Sequence, residues 1–338
     1  MKAYKVKAGA RCLDDLSILD MPAPEPGVGE VLVRVHATSL NFRDQAIVMG
    51  LYLGGPIAQD TIALSDGAGE VVAVGAGVTR FKPGDRVAGI FFQNWIDGPS
   101  TSEPKLALGS PVDGMLAEYR ALPEHGLVKL PAHLSYEQGA CLPCAAVTAW
   151  NALADANPIR PGQTVLLMGT GGVSIFGLQF AKAMGARTVV TSSSDEKLER
   201  AKTLGADHTI NYKTHPEWAQ EVLRLTDGEG ADHVLEVGGI GTLAQSFQAV
   251  AHGGTISYIG VLAGKEGDTS PHMLLVKGAR LQGIFVGSRR MFEDMNEAVS
   301  VNAIIPVIDR VFAFDEVKDA FAHQLAGKHF GKVVIRVD

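Results

Sequence analysis

The sequence predicts an α/β chain in two parts, a small β-barrel and a doubly wound parallel sheet. Three observations carry this. In the first third, residues 30–37 (EVLVRVHA) and 67–74 (GAGEVVAV) are short, valine-rich alternating runs set off by Gly and Pro turns such as Pro83-Gly84, the pattern of half-buried strands. From residue 164 to 286, short apolar runs alternate with segments of helical period, and repeated βα units make a parallel sheet with helices on its faces. Beyond residue 290 one helix (314–326) and one strand (332–337) are expected, returning to the first part.

The 338 residues fit two domains at roughly 100–200 residues each. The change of pattern near Leu127 sets the expected boundaries: a barrel domain over 1–126 completed by 290–338, and the parallel-sheet domain over 127–289. With 46% hydrophobic and 20% charged residues, the chain can bury a real core. A formal net charge of -7 argues against nucleic acid as a partner, because proteins that grip phosphate backbones are usually basic. Three cysteines are too few for a disulfide scaffold. The start, MKAYKVKAGA, has no apolar signal core. The most apolar long stretch, residues 165–181, is interrupted by Thr170, Ser174 and Gln179, with glycines at 169, 171, 172 and 177, so it makes a poor membrane span. A cytoplasmic protein with no membrane partner is expected.

Taken in order, residues 92–112 are polar, hold Gly98-Pro99 and Ser110-Pro111, and read as a long surface loop. Residues 135–154 read as a helix opened by a Ser135-x-x-Gln138 capping box. Strands are expected at 164–168, 188–191, 208–210, 233–237, 255–259 and 279–286. Helices are expected at 172–184, 195–203, 217–226 and 243–250.

The strand at 164–168 runs into Gly169-Thr170-Gly171-Gly172-Val173-Ser174 and then a helix. That context raises a glycine-rich turn to a dinucleotide fingerprint. Gly169 permits the tight turn, and Gly171 and Gly172 let backbone N–H groups approach a pyrophosphate at the helix N-terminus. Ser174 stands where a third glycine usually lies. NAD-binding chains usually end the second strand with an acid that accepts from the ribose 2′-OH. Here that strand ends Thr191-Ser192-Ser193-Ser194, with Lys197 beyond it. Hydroxyls and a lysine suit a 2′-phosphate, so NADP(H) is expected over NAD(H). Ser193-x-x-Glu196 also reads as a capping box.

With the β-rich first third, these features resemble the medium-chain dehydrogenase/reductase superfamily along essentially the whole chain. The matching segments are residues 67–71 (GAGEV), 81–87 (FKPGDRV), 204–207 (LGAD) and 331–335 (GKVVI). The resemblance implies a GroES-like barrel as catalytic domain, an inserted Rossmann domain and a homodimer. Zinc-dependent members carry Cys-His in the segment that here reads Leu40-Asn41-Phe42-Arg43-Asp44, and Gly-His-Glu where this chain has Leu64-Ser65-Asp66. Of the usual ligands only Cys144 matches, and residues 90–113 lack the four-cysteine lobe. A catalytic zinc needs three good ligands, so no zinc is expected. Cys141-Leu142-Pro143-Cys144 reads either as two small buried residues or as a redox pair. None of the ten histidines has metal-ligand spacing.

Leu40-Asn41-x-x-Asp44 with Tyr52 is similar to the quinone oxidoreductase branch, which implies NADPH without metal, while the long loop over 91–109 and Ser288-Arg289-Arg290 resemble better a zinc-lacking alcohol dehydrogenase-like subgroup. By that resemblance Ser193, Lys197 and Tyr212 surround the 2′-phosphate and Lys332 closes over that end. Thr148 packs beside the nicotinamide. Val237, Gly238, Gly260, Val261, Val286, Ser288 and Arg289 line the cofactor cleft. The expected reaction is hydride transfer to a small-molecule electrophile, a quinone or α,β-unsaturated carbonyl, whose conjugation spreads the charge that zinc would otherwise absorb. Asn41 is the candidate hydrogen-bond donor, Tyr52 the candidate proton donor, and Asp44 a third candidate that equally serves as a pairing or capping group. Phe91, Phe92 and Trp95 read either as pocket wall or as core. An NADPH-binding protein without turnover and an alcohol or aldehyde dehydrogenase remain as alternatives.

Overall fold

A computed structural model describes residues 1–337 apart from 53, 104, 265 and 268. The chain divides into two units, one of residues 1–147 with 287–338 and one of residues 148–286. These divisions lie at 147/148 and 286/287, against the expected 126/127 and 289/290. The reason is local: the turn of helix at 136–139 packs on the long strands of the barrel unit.

In the barrel unit, β1 (Lys2–Val6) pairs antiparallel with β2 (Leu16–Asp20). β3 (Glu30–Ser39) is the spine, with Val31, Val33 and Val35 buried at the two-residue period of a strand. α1 (Phe42–Val48) follows it directly. β4 (Thr61–Ile62) joins β1. β5 (Asp66–Val74), β6 (Arg86–Gly89), β7 (Tyr119–Pro123) and β8 (Leu127–Lys129) complete this part of the chain. The stretch read as a surface loop is only partly one. Phe91, Phe92, Gln93, Trp95, Ala107 and Leu108 are buried, and residues 97–103 form its exposed tip. Bulky aromatics drive the flanks inward despite their polar neighbours.

The helical segment near residue 140 is not one regular helix. Ser135 and Gln138 form the expected reciprocal cap, at 3.2 and 2.8 Å. α2 (Tyr136–Gly139) then gives way to a π-helical turn (Leu142–Ala146), α3 (Val147–Trp150) and a second π-helical turn (Asn151–Asp155). Pro143 has no N–H to donate to the preceding turn, which breaks the α-helical ladder there.

In the second unit β9 (Thr164–Met168), α4 (Gly172–Ala183), β10 (Arg187–Ser192), α5 (Asp195–Thr203), β11 (His208–Asn211), α6 (Trp218–Leu225), β12 (Ala231–Glu236), α7 (Ile240–Ala249), β13 (Val250–Tyr258), α8 (His272–Lys277) and β14 (Arg280–Gly283) alternate. The six strands are parallel, in the order β11-β10-β9-β12-β13-β14. The strand order reverses between β9 and β12, the place where open α/β sheets bind ligands beyond their carboxyl ends. Leu166, Val189, Val234 and Ile256 form the buried centre.

The chain then returns to the barrel unit through α9 (Arg289–Val301), β15 (Ile308–Phe312), α10 (Val317–Leu325) and β16 (Lys332–Arg336). β16 lies between β15 and β3 in a seven-stranded sheet. α9 and β15 were not expected. α9 buries Phe292, Met295, Asn296 and Val299, a helical spacing with a polar member, behind a Ser288 cap. Among the described residues no helix is long and apolar enough to cross a membrane.

Candidate functional site

The β9–α4 turn has the geometry of a phosphate cradle. Gly169 has φ +76, a left-handed conformation that a side chain would strain. A Cβ added at Gly169 or Gly171 would meet no protein atom within 4 Å. No side chain caps α4 at Gly171, so the N–H groups of Gly172 and Val173 open the helix as free-ended donors. Gly169 N–H donates to Thr191 Oγ1 at 3.3 Å, tying the turn to β10. Thr170 is buried beside it. Ser174 keeps the helix close by donating to Met168 O at 2.6 Å. The intimate helix–sheet contact falls one turn later, at Gly177, where a Cβ would come within 2.8 Å of Leu167 and Leu235. The residues present fit a dinucleotide pyrophosphate.

The tip of β10 carries no acid. Ser194, rather than Ser193, caps α5 by accepting from Lys197 N at 3.4 Å, which spares the Ser193 hydroxyl that task. Tyr212 N–H donates to Ser192 O at 3.1 Å, so Ser193 and Tyr212 leave neighbouring strands side by side. Tyr212 is exposed and Lys197 half-buried. Asp195 is engaged by Asn211 Nδ2 at 2.7 Å.

After β12 the turn is built around Glu236, which the sequence reading passed over. Its carboxylate is fully buried. Oε1 accepts from Gly238 N at 2.7 Å, Gly239 N at 3.0 Å and Thr242 Oγ1 at 2.7 Å, and Oε2 accepts from Ser246 Oγ. Leu262 N reaches Val237 O at 3.2 Å and Ala263 N reaches Gly238 O at 2.6 Å, joining this turn to the Gly260–Val261 loop. The visible signal was an acid closing an apolar strand just before two glycines. Val286 has a positive φ of 57, and its carbonyl accepts from Asn151 Nδ2 at 2.7 Å. Thr148 is buried on α3.

Three expected cofactor residues have other tasks in the barrel unit. Ser288 caps α9, accepting from Met291 N at 3.2 Å. The Arg289 guanidinium lies 3.4 Å from Glu293 and donates to His125 O at 3.3 Å. Lys332 is buried, and its ammonium donates to Leu40 O at 2.7 Å, Asn41 Oδ1 at 2.6 Å and Asp66 Oδ2 at 3.4 Å. An ammonium has three protons, so none is left for a phosphate.

Around Lys332 lie the positions where the resemblance places metal ligands. Asn41 precedes α1, and Asp44 Oδ2 accepts from its backbone N–H at 2.7 Å. Asp44 is thus a buried cap, with Arg43 Nη1 at 3.6 Å from its other oxygen. Burial outweighs Arg43 and raises its pKa to about 6. Arg43 is itself buried, donating to Leu108 O at 2.8 Å and Ser110 O at 3.2 Å beneath the rings of Tyr52 and Phe91, at 5.0 and 4.7 Å. Tyr52 is half-buried against the barrel core. Burial pushes the Cys141 thiol up to about 12 and the Cys144 thiol higher still, which opposes thiolate chemistry. No cysteine is in a disulfide. Among the described residues no group of three or more His, Cys, Asp or Glu side chains is placed to hold a metal ion. An amide, a hydroxyl and one carboxylate already paired with an ammonium do not fit zinc.

Two family models match: the alcohol dehydrogenase GroES-like domain over residues 27–132 and the zinc-binding dehydrogenase family over residues 172–301. A zinc-type alcohol dehydrogenase-like protein of Schizosaccharomyces pombe is 48% identical, over 96% of this chain and 98% of its own. A quinone oxidoreductase of Pseudomonas aeruginosa is 36% identical over 78% of this chain and 75% of its own. The crystal structure of an NAD-dependent alcohol dehydrogenase superposes with a TM-score of 0.90 at 34% identity, covering 100% of both chains. With a GroES-like barrel and a Rossmann sheet in one chain, and oxidoreductases along its whole length as relatives, the protein belongs to the medium-chain dehydrogenase/reductase superfamily.

Proposed function

We propose that the chain is a zinc-independent, NADP(H)-dependent oxidoreductase that passes hydride to a quinone or an α,β-unsaturated carbonyl. The observation that carries the cofactor choice is the acid-free tip of β10, with Ser193, Lys197 and Tyr212 gathered there and Asp195 held by Asn211. Hydroxyls and a lysine solvate a 2′-phosphate, whereas a ribose 2′-OH calls for an acceptor. The bound dinucleotide supplies the hydride at its nicotinamide ring. The chain's own residues hold it: backbone N–H groups at Gly171–Val173 take the pyrophosphate, and the Glu236-braced turn shapes the second side of the crevice.

The barrel unit offers neutral donors rather than a Lewis acid. Lys332 takes the amide oxygen of Asn41, which fixes the amide so that one Nδ2 proton faces Ser65 Oγ and the other is offered to substrate oxygen. One neutral donor suffices for a delocalised enolate or hydroquinone monoanion, which needs less stabilisation than a localised alkoxide. Tyr52 or solvent returns the proton. Asp44, committed to the α1 cap, drops out of the catalytic set. The protein pairs as a homodimer through the open edge at β14, beside which Leu275, Val276, Leu281 and Phe285 are exposed; sedimentation of a Leu281→Lys variant as monomer would support this.

The test follows NADPH absorbance with quinones, enones and simple aldehydes, with NADH in parallel and with and without chelator. Chelator-insensitive NADPH oxidation by a conjugated acceptor is expected. Turnover restricted to simple aldehydes would make the chain an alcohol dehydrogenase, and tight NADPH binding without turnover would make it a binding protein.

A further inference from the structure

Four side chains of the barrel unit close a ring. Lys332 Nζ donates to Asn41 Oδ1, Asn41 Nδ2 reaches Ser65 Oγ at 3.4 Å, Ser65 Oγ donates to Asp66 Oδ1 at 3.0 Å, and Asp66 Oδ2 returns to Lys332 Nζ. The Ser39 hydroxyl is 3.0 Å from Asp66 Oδ2 and 2.9 Å from Ala140 O. All five residues are buried. Three of the ring positions, 41, 65 and 66, are those at which zinc-dependent relatives place metal-site residues. Each replacement here is used: the amide bridges, the hydroxyl bridges, and the carboxylate receives the ammonium.

We propose that the Lys332 ammonium is the resident cation of this site, a tethered charge standing in for a metal ion, and that it acts as a positioning residue for the Asn41 amide. This rests on the zinc-free reading above. The ring is neutral, one ammonium against one carboxylate. A divalent ion would leave excess positive charge in this buried space unless it expelled Lys332, whose ammonium already holds Leu40 O, Asn41 Oδ1 and Asp66 Oδ2. With its oxygen fixed by the ammonium, the Asn41 amide has one orientation, which presents Nδ2 as donor.

The full-length protein is compared with Lys332→Met, Asp66→Asn and the double variant. Zinc is measured by mass spectrometry after incubation with zinc chloride and desalting. Thermal unfolding is followed with and without chelator, NADPH affinity by fluorescence titration, and turnover where an acceptor is known. The wild type is expected to retain no stoichiometric zinc and to keep its Tm in chelator. Each single variant lowers Tm, and the double variant recovers much of the loss because no uncompensated charge remains. The double variant keeps its NADPH affinity while kcat falls more than KM changes. Stoichiometric zinc, additive losses of Tm, or weakened NADPH binding in the double variant would each overturn the proposal, the last by making Lys332 a cofactor contact. If a single variant does not fold, the double variant and the zinc measurement decide. Failure to reduce any acceptor would sink the reductase reading and leave the zinc and Tm results standing. Additive Tm losses beside chelator-insensitive NADPH oxidation would sink the ring alone.

Discussion

Glu236 and Thr242 face each other across the turn from β12 to α7, the carboxylate accepting the threonine hydroxyl at 2.7 Å. The same carboxylate takes two backbone N–H groups, so it replaces the missing peptide acceptors at the start of a helix. Glu236→Ala strands several buried donors at about 1–3 kcal/mol each. A drop in stability of about 3 kcal/mol is expected in urea titration, with weaker NADPH binding at temperatures where the variant is still folded.

Gly169 and Gly171 separate two effects in one turn. Gly169→Ala forces a side chain into φ +76, at about 1–2 kcal/mol, and also intrudes on the cradle. Gly171 has φ -78, where alanine is unstrained. Gly171→Ala is expected to leave Tm unchanged and still weaken NADPH binding about tenfold or more, the scale of 1.4 kcal/mol. Unchanged affinity in Gly171→Ala would remove the pyrophosphate from this turn.

The choice between dinucleotides is tested at Ser193 and Lys197. Ser193→Asp restores an acceptor for the 2′-OH and repels a 2′-phosphate; with Lys197→Ala it is expected to shift the NADPH/NADH preference about a hundredfold, near 2.7 kcal/mol, in the ratio of kcat/KM values. A preference that stays put would locate the 2′ position elsewhere.

Two buried groups pull stability in opposite directions with pH. His233, buried on β12 with Nδ1 unpartnered, has its pKa lowered to about 4 by desolvation. It resists protonation when folded, so its contribution is full above the unfolded value near 6.5 and is lost as pH falls toward 4, by up to about 3 kcal/mol. Asp44, raised to about 6, holds its proton better when folded. Its contribution is full below about pH 4 and is lost as pH rises through 6, by a similar amount. The two largely cancel between pH 4 and 6. Asp44→Asn is expected to uncover a stability that climbs with pH in that window, and His233→Gln one that declines. Parallel urea midpoints across the window for both variants would refute the assignment.

The sequence was most legible where local signals agreed with the fold. Residues 195–203 are helical as expected, and the turn after β9 has its expected form, because periodicity, capping and glycines are all local there. It was least legible where a polar residue serves a distant partner. Asn296 inside the buried stripe of α9 donates to Lys129 O at 2.9 Å, and that polar member obscured the helix. Asp44 reads either as an active-site acid or as a pairing or capping group, and the partner that makes it a cap is the backbone of Asn41. The resemblance sets Lys332 over the 2′-phosphate end, and nothing local in its strand points to its partners Asn41 and Asp66, more than 260 residues back in the chain.

That separation bears on how the molecule is made. The middle unit, residues 148–286, contains its whole six-stranded sheet. The barrel unit's sheet lacks an interior strand, and Asp66 lacks its counter-charge, until residues 332–336 arrive. The barrel sheet is therefore completed only after the middle unit has been translated, and the strand that completes it also brings the counter-charge to the centre of the site.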